Sequence, residues 1–284
     1  MGTVFVTGTS SGIGLATACV LARAGHTVIA GMRHPDPDGE LARLVLQERL
    51  PVTIIALDVD NDESVSEAFQ IAISQHGPID ALINNAGITQ PGTIEETPLD
   101  SFRAMMETNY FGVLRCTKAV LPHMRSRRAG CIVNISSVAG RIALAPQAGY
   151  VASKHALEAM SECLAQEVRA FNIRVALVEP GIVATPIFQK IKSPDTAYPQ
   201  GRRLSAFFSA LAKEPTPPEA VAGQVREIIE GDSWRLRYPV GPHAAIALAW
   251  RTRTSDEEWI AMHDGSDADW AARIKREFGI DLDL

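Results

Sequence analysis

Thr3-Val4-Phe5-Val6-Thr7-Gly8-Thr9-Ser10-Ser11-Gly12-Ile13-Gly14-Leu15-Ala16-Thr17-Ala18-Cys19-Val20-Leu21-Ala22 sets three local structures side by side near the start of the chain. Thr3 to Val6 is a short β-branched and aromatic run, which suits a strand. Thr7 to Gly14 is a glycine-rich turn, and Leu15 to Ala22 reads as a helix. Strand, glycine-rich turn and helix in that order form the first half of a dinucleotide-binding βαβ unit. Glycines let the backbone approach a pyrophosphate, while the helix N-terminus offers free N–H groups and the positive end of its dipole. Many glycine-rich turns are only tight turns, so the placement between strand and helix carries the reading.

The alternation continues outward from this stretch. Apolar strand-like runs occupy 3–7, 27–31, 52–56, 79–84, 130–135 and 173–178, with a shorter one near 237–240. Helical patterns fall between them at 13–24, 38–49, 62–75, 98–126, 150–171 and 217–230. The strand runs are continuously apolar, which implies burial on both faces by flanking helices. The expected fold class is α/β, a doubly wound parallel sheet of about seven strands, or Rossmann fold. A chain of 284 residues suits a single dinucleotide-binding and catalytic domain spanning 1–284.

Composition narrows the partners. A net charge of −6 disfavours nucleic acid, which requires a basic surface. The cluster Arg125, Arg127 and Arg128 reads as a solvated helix end. No apolar run reaches the roughly 18 residues of a membrane span. The four cysteines, Cys19, Cys116, Cys131 and Cys163, show neither metal-ligand nor redox spacing and lie in apolar stretches. They read as buried thiols of a cytoplasmic protein without a bound metal.

Tyr150-Val151-Ala152-Ser153-Lys154 puts a phenol and an ammonium four residues apart, on one face of a helix. A free phenol titrates near 10, and a positive charge about 4–6 Å away favours the phenolate. Tyr150 is thereby the expected acid/base of a reaction, with Lys154 tuning it.

The Thr-Gly-x-x-x-Gly-Ile-Gly turn, Asn84-Asn85-Ala86-Gly87, Asn109, Asn134-Ile135-Ser136-Ser137, Tyr150-x-x-x-Lys154 and Pro180-Gly181 together resemble the ordered signature of the short-chain dehydrogenase/reductase family. The resemblance covers residues 1 to about 190. Six elements in order are far more specific than any one alone. The resemblance implies a nicotinamide cofactor and a catalytic set of Asn109, Ser137, Tyr150 and Lys154. Ser137 is preferred over Ser136 because the family spaces its serine thirteen residues before the tyrosine. Asn109 is implied to sit at a local helix break and hold a water that links Lys154 to solvent. Cofactor contacts are implied at Thr7, Gly8, Ser10, Ser11, Gly12, Ile13 and Gly14, at Asp58 and Val59 for adenine, and at Asn85, Ala86 and Gly87. They continue at Tyr150, Lys154, Pro180, Gly181, Val183 and Thr185.

The position after the second strand bears on cofactor choice. An acid there would bind ribose hydroxyls; Met32-Arg33 instead supplies a guanidinium that can pair with a 2′-phosphate. NADP is favoured, while the lack of a basic residue between Gly8 and Gly12 leaves NAD open.

Residues 182 to about 215 form an expected substrate lid carrying Ile182, Val183, Ile187, Phe188, Ile191, Tyr198, Phe207, Phe208 and Leu211. An apolar lid suggests an apolar small-molecule substrate, though each residue could equally pack on the core. The run from Tyr150 to Glu167 resembles the hydroxysteroid and retinol dehydrogenase branch most. From Trp250 onward, Trp259, Ile260, Met262, Trp270, Ala271, Ile274 and Phe278 recur at helical intervals, as expected of two short amphipathic helices in a C-terminal extension of about 243–284. The family commonly forms homodimers or homotetramers. The leading expectation is an NADP(H)-dependent oxidoreductase that interconverts a hydrophobic ketone or aldehyde and its alcohol. Alternatives are a β-ketoacyl reductase of acyl chain assembly and a non-catalytic dinucleotide sensor.

Overall fold

The computed structural model describes residues 1–186 and 196–284. Its strands are β1 (Thr3–Thr7), β2 (Thr27–Met32), β3 (Val52–Ala56), β4 (Ala81–Asn84), β5 (Gly130–Ile135), β6 (Ile173–Pro180) and β7 (Arg237–Val240). They pair in parallel, in the order β3-β2-β1-β4-β5-β6-β7. The helices are α1 (Gly12–Arg23), α2 (Glu40–Glu48), α3 (Asp62–His76), α4 (Leu99–Met106), α5 (Gly112–Arg127), α6 (Ala148–Val168), α7 (Gln200–Leu211), α8 (Pro218–Glu230), α9 (Pro242–Arg253), α10 (Asp256–Ile260) and α11 (Asp267–Phe278). This is the expected doubly wound sheet.

Successive strand residues point to opposite faces, and each face has its own core. Val4, Val6, Val28 and Ala30 pack with Leu21 of α1 and Val221, Val225 and Ile228 of α8. Phe5 and Ile29 face the other way, among Phe69 of α3, Val120 of α5 and Leu164 of α6. Phe5 stacks on Phe69 with ring centroids 4.2 Å apart. The strand order reverses at β1, which pairs with β2 on one side and β4 on the other. Connections leave the carboxyl ends of β1 and β4 in opposite directions, so a crevice opens there.

Three departures from the sequence reading bear on the site. The helical pattern at 98–126 is not continuous: a π-helical turn, Glu107–Phe111, separates α4 from α5. The expected lid contains a regular helix, α7, whose Leu204, Phe207 and Leu211 are buried; Ile187, Phe188 and Ile191 lie outside the described residues. The two short helices expected beyond Trp250 are α10 and α11, and the extension begins with a further helix, α9, that carries Trp250. Capping boxes at Ser255 and Ser266 start the last two, each satisfying otherwise orphaned N–H groups. Cys19, Cys116 and Cys131 are buried as expected, but Cys163 is exposed. It falls on the solvent face of α6, where its apolar neighbours in sequence are not its neighbours in space.

Candidate active site

A cleft of about 540 Å³ opens at the carboxyl ends of the strands. Its floor begins at the glycine-rich turn. Gly8 and Gly12 adopt φ of +70° and +58°, a region that penalises any Cβ. A Cβ on Gly14 would stand 2.2 Å from the Gly8 carbonyl oxygen and 2.4 Å from Asn85 Nδ2, so only glycine lets α1 start this close to the turn. Ser11 precedes α1 in extended conformation, caps none of its N–H groups with its side chain, and no acid occupies the first turn. An uncapped, acid-free helix N-terminus in a glycine cradle fits a dinucleotide pyrophosphate.

Thr7 and Asn85 hold that cradle to β4. The Thr7 hydroxyl accepts from the N–H groups of Asn85 and Ala86, both at 3.0 Å. Asn85 Nδ2 donates to the Thr7 and Gly8 carbonyls at 2.9 and 3.0 Å. Thr7 and Gly14 consequently lie behind the cleft wall, whereas Gly8, Ser10, Ser11, Gly12, Ile13, Asn85, Ala86 and Gly87 line it.

At one end the lining passes through Arg33, Asp58 and Val59. Arg33 is exposed, and among the described residues no ion pair or hydrogen bond ties its guanidinium. Asp60 joins them, a residue absent from the sequence expectation. Burial raises its carboxyl, partly offset by a hydrogen bond from Thr108. Pro180, Gly181, Val183 and Thr185 line the opposite wall; a Cβ on Gly12 would meet Thr185 Cγ2 at 3.0 Å.

Ser137, Tyr150 and Lys154 converge at the middle of the cleft. Ser137 follows β5, and its hydroxyl accepts from the Ala139 N–H at 3.1 Å. The Tyr150 phenol lies near enough to Ser137 for the serine to favour its phenolate. Lys154 Nζ donates to the Ile135 carbonyl at 2.8 Å and stands 5.8 Å from the Tyr150 ring centroid. Burial pulls the ammonium down to about 8, a shift that Glu158 one turn along α6 opposes. Tyr150 does not follow the expectation of a lowered pKa. Burial raises the phenol, and the neighbouring Ser137, not Lys154, is what counteracts it. The reason is geometric, since Lys154 directs its ammonium to the Ile135 carbonyl and stands 5.8 Å from the centre of the phenol ring.

Asn109 sits at the π-helical turn, fully buried and outside the cleft lining. Its Oδ1 accepts from Ile88 N at 2.8 Å, and its Nδ2 donates to the Ile88 carbonyl and to Ser153 Oγ, both at 2.9 Å. The helix widens here and the side chain ties the break to the loop after β4. A Cβ on Gly87 would lie 3.3 Å from Asn109 Oδ1 and 3.9 Å from Lys154 Nζ, so Asn109 and Lys154 both approach the backbone at Gly87.

Behind these groups lies a charged cluster that the sequence reading missed. Glu158 and the fully buried Glu179 on β6 share Arg237, at 2.9 and 3.7 Å, and Arg141 reaches Glu179 at 3.2 Å. The one available signal was Glu158 standing four residues after Lys154. Ser136, also buried, has no hydrogen-bond partner for its hydroxyl among the described residues.

The outer part of the cleft is apolar. Ile142, Leu144, Phe207, Phe208 and Leu211 line it together with Trp250, Trp259 and Phe278 of the C-terminal extension. The tail does more than cover the domain, because it supplies part of this wall.

A doubly wound sheet with a glycine cradle and a Ser-Tyr-Lys cluster above it defines a dinucleotide-binding oxidoreductase architecture. The short chain dehydrogenase family model matches residues 2–196, and the chain belongs to the short-chain dehydrogenase/reductase family, whose members are NAD(P)-dependent dehydrogenases and reductases. It is 37% identical over 268 residues to the uncharacterized oxidoreductase YusZ of Bacillus subtilis, covering 90% of this chain and 95% of that protein. A short-chain dehydrogenase from Streptomyces avermitilis superposes with a TM-score of 0.81 at 35% identity, covering 88% of this chain and 92% of the other. An alcohol dehydrogenase from Thermococcus sibiricus complexed with 5-hydroxy-NADP superposes with a TM-score of 0.71 at 27% identity, covering 84% and 95%. Among the described residues no helix is long and apolar enough to cross a membrane.

Proposed function

We propose that this chain is an NADP(H)-dependent oxidoreductase that interconverts a hydrophobic ketone or aldehyde and its alcohol. The observation carrying the proposal is the gathering of Ser137, Tyr150 and the buried Lys154 at the junction of the glycine cradle and the apolar chamber. The nicotinamide, when bound, supplies or accepts the hydride.

The residues of the chain handle the proton. Tyr150, held protonated at neutral pH by burial, delivers its proton to the carbonyl oxygen as charge develops there. Ser137 orients that oxygen against the phenol. Ser137 favours the phenolate left behind, and Lys154, an ammonium with one donor spent on Ile135, would keep two for the nicotinamide ribose. Asn109 holds the route by which a water-borne proton returns to Lys154. Arg33 would hold the 2′-phosphate that distinguishes NADP, and Asp58 and Val59 would hold the adenine.

Support for a hydrophobic substrate comes from the wall of Ile142, Leu144, Phe207 and Phe208. A pure sensor has no use for the Ser137–Tyr150 pair. Its unpaired cysteines favour a cytoplasmic location, and the family resemblance favours a homodimer or homotetramer. The whole chain acts as one catalytic unit, with residues 182–215 as lid and 243–284 as extension.

The test is Tyr150→Phe. Titration should show NADPH binding retained while reduction of apolar carbonyls drops by about 10²–10⁴. Full turnover in the variant would overturn the proposal.

A further inference from the structure

The C-terminal extension contributes three aromatic side chains to the cleft from three separate helices. Trp250 of α9 meets Trp259 of α10 edge-on at 4.8 Å between centroids and Phe278 of α11 at 5.6 Å. Phe278 meets Phe207 of α7 at 5.1 Å, also edge-on. Phe207 and Phe208 lie 6.2 Å apart at an interplanar angle of 30°. Trp259 Nε1 donates to the Ala143 carbonyl at 2.7 Å, which ties α10 to the loop that leads from Ser137 to Tyr150. The wall is thereby attached to the segment that carries the reacting groups.

We infer that Trp250, Trp259 and Phe278 form a specificity wall that selects carbonyl compounds with a rigid, uncharged ring system over flexible chains of equal size. The inference rests on the proposed carbonyl chemistry and adds the residues that choose the substrate. Three observations carry it.

The rings are pinned. Trp250 and Phe207 are 7% and 6% exposed, and each is held edge-on by a neighbour. Interlocked rings present a surface that keeps its shape, so a rigid partner binds without ordering either side, whereas a flexible chain gives up conformational freedom. Ring against ring also adds an edge-on or offset-stacked attraction beyond the area buried.

The chamber is uncharged. Arg33, Asp58, Asp60 and Lys154 are the charged residues among the described cleft lining, and all belong to the cofactor or proton-transfer part. His243 faces the chamber, and burial lowers its imidazole below the ordinary value, so it is neutral at pH 7. A charged substituent would be desolvated there with no partner.

Finally, the wall's hydrogen-bonding capacity is partly consumed. The Trp259 indole N–H is spent on Ala143, which leaves its ring as an apolar contact for substrate.

The experiment compares 1-tetralone, 2-decanone and acetone as substrates of the full-length protein with NADPH, for the parent, Trp259→Ala, Trp259→Phe and Phe278→Ala. In the parent, kcat/KM should favour 1-tetralone over 2-decanone, and the 1-tetralone-to-acetone ratio should fall about three- to tenfold in both alanine variants. Trp259→Phe keeps a ring without the indole N–H and should recover most of the ratio. An unchanged ratio, or a parent preference for 2-decanone, overturns the inference. Quenching of tryptophan emission by 1-tetralone, measured with NADP present, separates the two levels. Absence of turnover with selective quenching that weakens in Phe278→Ala sinks the proposed carbonyl chemistry and leaves the wall standing. Turnover without ring selectivity does the reverse.

Discussion

Lys154 Nζ donates to the Ile135 carbonyl at 2.8 Å, joining the middle of α6 to the end of β5. Because this ammonium is buried, its proton affinity differs between the folded and unfolded chain. The folded value is about 8 against an ordinary 10.5. Between those values the unfolded state binds more protons, so folding stability due to Lys154 rises with pH across the window and carries its full burial cost below it. Thermal melts of the cofactor-free protein and of Lys154→Met at pH 7 and pH 10 should show the parent gaining on the variant by roughly 2–3 kcal/mol. A stability difference that does not move with pH would show that Lys154 keeps its ordinary pKa.

Ser137 counteracts the effect of burial on Tyr150. In Ser137→Ala the phenol should titrate higher still, so alcohol oxidation, which needs the phenolate, should shift its rising limb to more alkaline pH. Carbonyl reduction should fall by about 10²–10⁴ as the substrate oxygen loses its orienting partner. A pH–rate profile with the limb in its original place would remove Ser137 from the proton transfer.

Arg33 stands exposed at the cofactor end of the cleft, near enough to Asp60 for their charges to interact. Arg33→Asp should raise the KM for NADPH by about ten- to a hundredfold, in line with a charge-assisted hydrogen bond of 1.5–3 kcal/mol. NADH use should change little. Equal effects on both cofactors would assign Arg33 no part in reading the 2′-phosphate.

Arg237 compensates Glu158 and Glu179 at once. Removing it in Arg237→Ala leaves two nearby buried carboxylates, at a cost of about 3 kcal/mol. Burial already raises the Glu179 carboxyl. An acid raised in the folded state loses stability as pH climbs through its titration, so the deficit should be largest at neutral pH and shrink towards pH 5. Denaturant midpoints at the two pH values give the answer, and a deficit that grows on acidification would contradict the assignment.

Much of the architecture was legible locally. The continuous apolarity of 27–31 and 130–135 announces strands covered on both faces, and the structure places β2 and β5 there. The glycine turn predicted a cradle whose Gly8 and Gly12 do adopt positive φ. Asn109 was expected at a helix break and occupies a π-helical turn. Less legible was the pKa of Tyr150, since the i, i+4 spacing gives proximity to Lys154 but says nothing of the carbonyl to which the ammonium is directed. Equally hidden was Glu179, which reads in sequence as one acid in a strand run and becomes a buried charge only once β7 brings Arg237 beside it.

The amino-acid sequence alone determined the order of strands and helices, the glycine cradle and the Tyr150–Lys154 pair, because each depends on residues within a few positions of one another. Only the tertiary structure decided that Trp259 would bond Ala143, 116 positions away, that Asn109 would hold Ile88, and that the C-terminal rings would line the cleft. Such contacts depend on where the parallel crossovers deliver each helix, and no local periodicity encodes that.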